Sequence, residues 1–130
     1  MTRFAGVFPP IITPFTEAGE LDVPALHGHI DFLIGAGVHG LIPAGSTGEA
    51  ISLSLDEYHT LVRETISHTA GRVPVLAGCS ANATQQVVAN CRFAEEAGAD
   101  GIMITHPYYS LPDEAELYQH YVTVAESVIG

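Results

Sequence analysis

Apolar residues along the chain alternate between two patterns. Four short continuous runs rich in Val, Ile and Leu, at Gly6 to Thr13, Gly40 to Ala44, Val73 to Ala77 and Gly101 to Thr105, have the length and composition of buried strands. Between them, apolar residues recur every three or four positions, the spacing that gathers them on one face of a helix. The clearest such stretch opens at Ser54, whose hydroxyl can cap the first turn while Glu57 reaches back to it. Leu55, Tyr58, Leu61, Val62 and Ile66 then share one side. Asp22 is placed to cap a helix that turns Leu26, Ile30 and Leu33 inward. Thr84 or Asn82 opens one carrying Val87, Cys91 and Ala94, and Asp113 opens one carrying Leu117, Tyr121, Val124 and Val128. The order is βα, four times over.

The letters repeat as well as the periodicity. "GAGVHGLIP" at 35–43 and "EAGADGIMI" at 96–104 share an Ala-Gly-x-x-Gly entry into a strand, two βα units apart. Each glycine pair suits a helix C-terminal cap followed by a tight turn, where a residue free to adopt positive φ is needed. Parallel units of this kind build either a closed barrel or a doubly wound sheet. An eight-unit barrel takes roughly 250 residues, and these 130 make about half of one, read here as a single domain over 1–130.

Composition narrows the partners. The net charge is −11, with acidic residues scattered along the chain, so nucleic-acid backbones and anionic membranes would be repelled. Every basic residue is an arginine (Arg3, Arg63, Arg72, Arg92), and there is no lysine. Cys79 and Cys91 lack a paired C-x-x-C spacing and nothing N-terminal has the form of an export signal, so reduced thiols and a cytoplasmic location are expected. No apolar run approaches the roughly 18 residues that span a bilayer.

The chemistry gathers at Gly45-Ser46-Thr47-Gly48-Glu49, after the second apolar run. This is the carboxyl end of a strand, where parallel α/β folds place their ligands. Glycines let backbone N–H groups turn into a concave nest, and the two hydroxyls add donors, so a carboxylate or phosphate can be held there without lysine. An ordinary βα turn of small polar residues would also account for the stretch. Gly78-Cys79-Ser80-Ala81-Asn82 and Thr105-His106-Pro107-Tyr108-Tyr109 follow the third and fourth runs at the same end.

Taken together, "ITPF", "GSTGE", "VPVLAG" with "ANAT" soon after, "GAD", and "PYY" followed by "LYQHY" resemble the N-terminal half of the dihydrodipicolinate synthase and N-acetylneuraminate lyase family. These are class I aldolases and synthases that form a Schiff base with pyruvate or another 2-keto acid on a (β/α)8 barrel. The resemblance implies an α/β fold of parallel (β/α) units, the first four units, or half, of a TIM (β/α)8 barrel. It implies that Ser46 joins a proton relay and that Thr47 binds the keto acid's carboxylate through its hydroxyl and backbone N–H. It also implies that Tyr109 reaches into a neighbouring subunit's site. Ser46 and Tyr109 are thus the expected catalytic residues, and Ser46, Thr47 and Gly48 the expected substrate-binding ones. No cofactor and no metal is expected. The implied partners are a pyruvate-like keto acid and either further copies of the chain or a complementing C-terminal half.

Other features of the family have no counterpart here. The Schiff-base lysine of the sixth strand and the relay tyrosine of the fifth are missing, so the isolated chain is expected to be catalytically silent. Lysine-inhibited members carry two histidines after the glycine loop, and an Asn and a Glu after the third strand. The aligned residues are Leu55, Tyr58, Asn82 and Gln86, and feedback inhibition by lysine is not expected.

Among the histidines, His27 and His29 would point apart on a helix, His59 and His68 read as solvated, and His106 as a rim group. Tyr118 and Tyr121 read as core or interface packing, and Glu49 as a first-turn acid favoured by a helix dipole. Two alternatives stand beside this reading. One is a flavodoxin-like domain gripping a flavin phosphate; the other is a non-catalytic half-barrel acting by association across its open strand edges.

Overall fold

The computed structural model describes residues 4–128, so residues 1–3 and 129–130 of the expected domain lie outside the described residues. Among the described residues four α-helices form: α1 (Val23–Gly35), α2 (Leu55–Thr69), α3 (Thr84–Ala97) and α4 (Glu114–Ser127). Strands β1 (Leu76–Gly78) and β2 (Gly101–Met103) pair in parallel, with Leu76 beside Gly101 and Gly78 beside Met103. The first two apolar runs are extended segments joined by single parallel bridges, Pro10 to Ile42 and Leu41 to Val75. All four therefore lie side by side in chain order. A flavodoxin-like sheet sets its first strand against its third. Here the second segment occupies that place, and the flavin-binding alternative falls with it.

Proline accounts for ladders shorter than the apolar runs predict, because it brings no N–H to a ladder. Ile42 donates to the Pro9 carbonyl (3.1 Å) and Ile11 to the Ile42 carbonyl (3.0 Å), which completes one bridge. His39 donates to the Val7 carbonyl (2.8 Å), but Pro9 has no N–H to return. Likewise Gly78 donates to the Pro43 carbonyl (2.9 Å) and Pro43 returns nothing.

The helices start where the sequence places them. Asp22 accepts from Ala25 N–H (2.9 Å), and both Ser54 with Glu57 and Asp113 with Glu116 close reciprocal capping boxes. Leu26, Ile30, Leu61, Val62, Val87, Cys91, Ala94 and Val124 turn inward, joining Ile11, Leu41, Ala77 and Cys79 in one core. The repeated second glycine serves packing. A Cβ at Gly40 would strike the Phe8 ring, and one at Gly101 would lie 2.6 Å from Leu76 Cδ2 and 2.9 Å from the Phe4 ring. Gly37 and Gly98 carry the positive φ, at 87° and 93°.

Several expectations are corrected. Leu55, in the first turn of α2, is exposed, and so is Tyr121, because the inward stripe of α4 runs through His120 and Val124; Tyr118 is exposed as well and takes no part in the core. Asn82 does not cap α3; the N-cap position is Ala83, with no side-chain bond, while Asn82 Oδ1 accepts from Tyr108 N–H (2.6 Å). Glu49 precedes a single 3-10 turn (Ala50–Ser52) rather than the first turn of α2, so no helix dipole explains it. His59 stacks on Phe93 (3.8 Å) and His68 on His27 (3.9 Å), so neither is simply solvated.

The His68 imidazole (3.0 Å) and Arg72 guanidinium (2.8 Å) both approach the Asp31 carboxylate and hold its pKa below the ordinary 3.8. A carboxyl whose pKa is depressed by folding contributes stability above its unfolded pKa and loses it as pH falls through the folded value. A carbon-detected titration should place Asp31 below 3.8, and His68→Ala should move it upward; an unmoved midpoint would show that His68 does not act on it.

Candidate functional site

The loop after the second segment is held in a defined shape. Ala44 (φ 55°) and Glu49 (φ 58°) flank it in the left-handed region, where side-chain-bearing residues are rare. The Gly45 carbonyl accepts from Gly48 N–H (3.1 Å) and Ala50 N–H (3.3 Å), and the Ser46 carbonyl from Glu49 N–H (3.1 Å). Ser46 and Thr47 are exposed at the apex, and among the described residues neither N–H has a protein acceptor. Two amides and two hydroxyls thus stand free at the carboxyl end of the parallel segments, an arrangement suited to an anion. Gly48 behaves differently. Its N–H is taken by Gly45, it is buried, and its carbonyl receives the Thr13 hydroxyl (2.6 Å). A Cβ there would lie 2.9 Å from the Ile11 carbonyl, so Gly48 shapes the loop from behind instead of offering a donor.

A cavity of about 360 Å³ opens beside this apex, lined by Ser46, Ser80, Met103, Thr105, His106 and Tyr108, among others. Thr105 N–H donates to Ser80 Oγ (2.9 Å), which ties the third and fourth loops together across the cavity. Asn82 does the same one step outward through Tyr108. Tyr109 is 98 % exposed with φ 69°. It is not part of the cavity's lining.

Behind the site, Tyr58 donates to Cys79 Sγ (3.4 Å). Burial, with the Cys79 thiol next, pushes the Tyr58 phenol far above its ordinary range, so it stays protonated. Cys79 and Cys91 are both free and buried. Leu55, Tyr58 and Gln86 line an adjoining cavity of about 230 Å³, which shares Ser80 and Tyr108 with the first and whose lining does not include Asn82.

Two residues escaped the sequence reading. Thr13 sits at the end of an apolar run and shows only a small polar side chain; nothing local signals its bond to a carbonyl 35 positions on. His120 is 4 % exposed and meets Thr84 Oγ1 through Nδ1 (2.9 Å), beside a groove of about 720 Å³ between α3 and α4. Its signal was the three- and four-residue spacing to Leu117 and Val124. Among the described residues no helix is long and apolar enough to cross a membrane.

Comparison with known proteins adds relatives to this geometry. Residues 3–129 match the dihydrodipicolinate synthetase family. The 4-hydroxy-tetrahydrodipicolinate synthase of Methanospirillum hungatei JF-1 is 42% identical over 125 residues, which cover 95% of this chain and 43% of that protein. The enzyme of the same name from Syntrophus aciditrophicus is 44% identical over 125 residues, 96% of this chain and 43% of that one. Among solved structures, YagE from E. coli K12, a prophage protein of the dihydrodipicolinic acid synthase family in complex with pyruvate, superposes with a TM-score of 0.94 at 41% identity, over 98% of this chain and 43% of its own. Dihydrodipicolinate synthase from Aquifex aeolicus gives 0.93 at 38% identity, over 96% and 42%. The chain spans less than half the length of each of these relatives. With these likenesses, the four βα units are the first half of a (β/α)8 barrel.

Proposed function

The chain belongs to the dihydrodipicolinate synthetase family, and from that premise we propose that it carries the acid-gripping part of a pyruvate or other 2-keto-acid site in a Schiff-base aldolase or synthase. The carrying observation is the exposed Ser46–Thr47 apex, with two unpartnered amides and two hydroxyls, of which Ser46 lines a cavity at the carboxyl rim. Thr47 binds the carboxylate through hydroxyl and N–H, Ser46 passes protons in the relay that carbinolamine formation and dehydration require, and Gly48 holds the loop in register. Tyr109, fully outside its own cavity, reaches a neighbouring subunit's site.

An imine needs an amine nucleophile, and this sequence has no lysine. The nucleophile therefore belongs to the portion of the relatives that this chain does not cover, supplied by a complementing half in an assembled barrel. That complementing half is the partner the chemistry requires, further copies of the chain adding only oligomer contacts, and the assembly works in the cytoplasm and without a cofactor. YagE, solved with pyruvate, supports the choice of keto acid.

The test has two arms on the chain itself. Pyruvate should shift the Ser46 and Thr47 amide resonances ahead of all others; shifts elsewhere with none at 46–47 would defeat the reading. Borohydride with pyruvate should leave the mass unchanged, and a stable adduct would defeat the assignment of the nucleophile to other protein.

A further inference from the structure

Tyr109 is 98 % exposed and gains almost nothing from burial, yet its φ of 69° is one that a bulky residue rarely adopts. The Tyr108 carbonyl accepts from Ser110 N–H (2.9 Å), which closes a three-residue turn around Tyr109. With φ positive this is the strained form of the γ-turn, which persists only where surrounding bonds impose it. A glycine would carry that φ without strain. Tyrosine keeps the strain and sets a phenol at the tip. The bonds that hold the turn converge on one peptide group. The N–H of Tyr108 donates to Asn82 Oδ1 (2.6 Å), and the carbonyl of the same peptide, on Pro107, receives His106 Nδ1 (2.7 Å). A carbonyl oxygen only accepts, so Nδ1 carries the hydrogen whichever charge the ring holds. The segment bearing Asn82 is itself tied on both sides. Ser80 Oγ accepts from Thr105 N–H (2.9 Å) and Thr84 Oγ1 bonds His120 Nδ1 (2.9 Å), so alternate residues 80, 82 and 84 each grip the stretch running from Thr105 into α4. Every one of these bonds lies within this chain.

We propose that Asn82 is a positioning residue: its Oδ1, with His106 Nδ1 at the carbonyl end of the same peptide, imposes the strained turn and so presents the Tyr109 phenol at the rim, already shaped for a partner surface. Asn82 acts through Tyr109 and is absent from the lining of the cavity that Ser46 borders. The destination of the phenol, a neighbouring subunit's site, rests on the function proposed above, whereas the turn and its clamp are properties of this chain alone.

The test uses the carbon- and nitrogen-labelled chain. In the unaltered chain, a coupling across the hydrogen bond should join the Tyr108 amide nitrogen to the Asn82 side-chain carbonyl, and the one-bond Cα–Hα coupling of Tyr109 should report positive φ. Asn82→Ala should lower the ratio of positive-φ to negative-φ conformers at Tyr109 about five- to tenfold, the effect of one lost hydrogen bond. Exchange of the Tyr108 amide should quicken by the same factor. Asn82→Asp, whose carboxylate oxygen can accept, should restore most of both. A role in the stability of α3 alone would move the urea midpoint and leave these ratios where they were. A missing coupling or a negative φ in the unaltered chain overturns the proposal, as does a ratio that Asn82→Ala leaves unmoved or a loss that Asn82→Asp does not repair. Should Asn82→Ala fail to fold, the unaltered chain and Asn82→Asp decide, since both should show the coupling and the positive φ. Pyruvate is titrated separately into the unaltered chain. If it leaves residues 46 and 47 unmoved, the keto-acid reading fails, while the Tyr109 couplings still report on Asn82.

Discussion

Replacing Gly78 with alanine should destabilise the chain by about 3 kcal/mol or more, a large part of the roughly 5–15 kcal/mol that separates folded from unfolded domains. A Cβ at Gly78 would run into the Ala44 carbonyl group, its carbon only 2.6 Å away, with the Pro43 oxygen at 3.0 Å. These are backbone atoms of the loop-bearing segment, and Ala44 is already held in the left-handed region. Nothing there can swing aside. At Gly101 the nearest atoms belong to the Leu76 and Phe4 side chains, which can rotate, so Gly101→Ala should cost less. Urea unfolding followed by circular dichroism should separate the two. Equal midpoints would mean that the crowding between β1 and Ala44 does not govern stability.

The second large effect belongs to Thr13→Val, which keeps the side chain's size and deletes its hydroxyl. The Gly48 carbonyl then loses its 2.6 Å donor in a buried setting, a loss worth about 2 kcal/mol. Gly48 directly follows Thr47, so the loosened carbonyl also loosens the apex. Amide exchange at Ser46 to Ala50 should quicken, and the pyruvate-induced shifts at 46 and 47 should need a higher concentration to saturate. Lowered stability with unchanged exchange and pyruvate response would show that Thr13 supports the core alone.

The four βα units were legible because the signals that set them are local: continuous apolar runs, and caps such as Asp22, Ser54 and Asp113 whose partners lie within three residues. The glycine loop was legible for the same reason. What stayed hidden depends on partners far along the chain. Asn82 has the chemistry of a helix cap, yet its side chain is claimed by Tyr108 N–H, 26 residues on. Leu55 fits the apolar stripe of α2 but sits in its first turn, beyond the reach of the core. His120 and Tyr121 compete for one inward position on α4, and Thr84 settles it by giving the imidazole a polar partner. The prolines shortened the ladders in a way that residue type alone foretells, but only once it is known which N–H each neighbour needs.

The side-by-side order of the four segments bears on how the molecule comes into being. Among the described residues every parallel bridge joins a segment to the one immediately before it, so these four segments pair with neighbours already made. Chain ends close over short loops at low entropic cost. On the ribosome each new unit could settle against its predecessor as soon as it emerged, and the barrel would grow from its amino terminus one stave at a time.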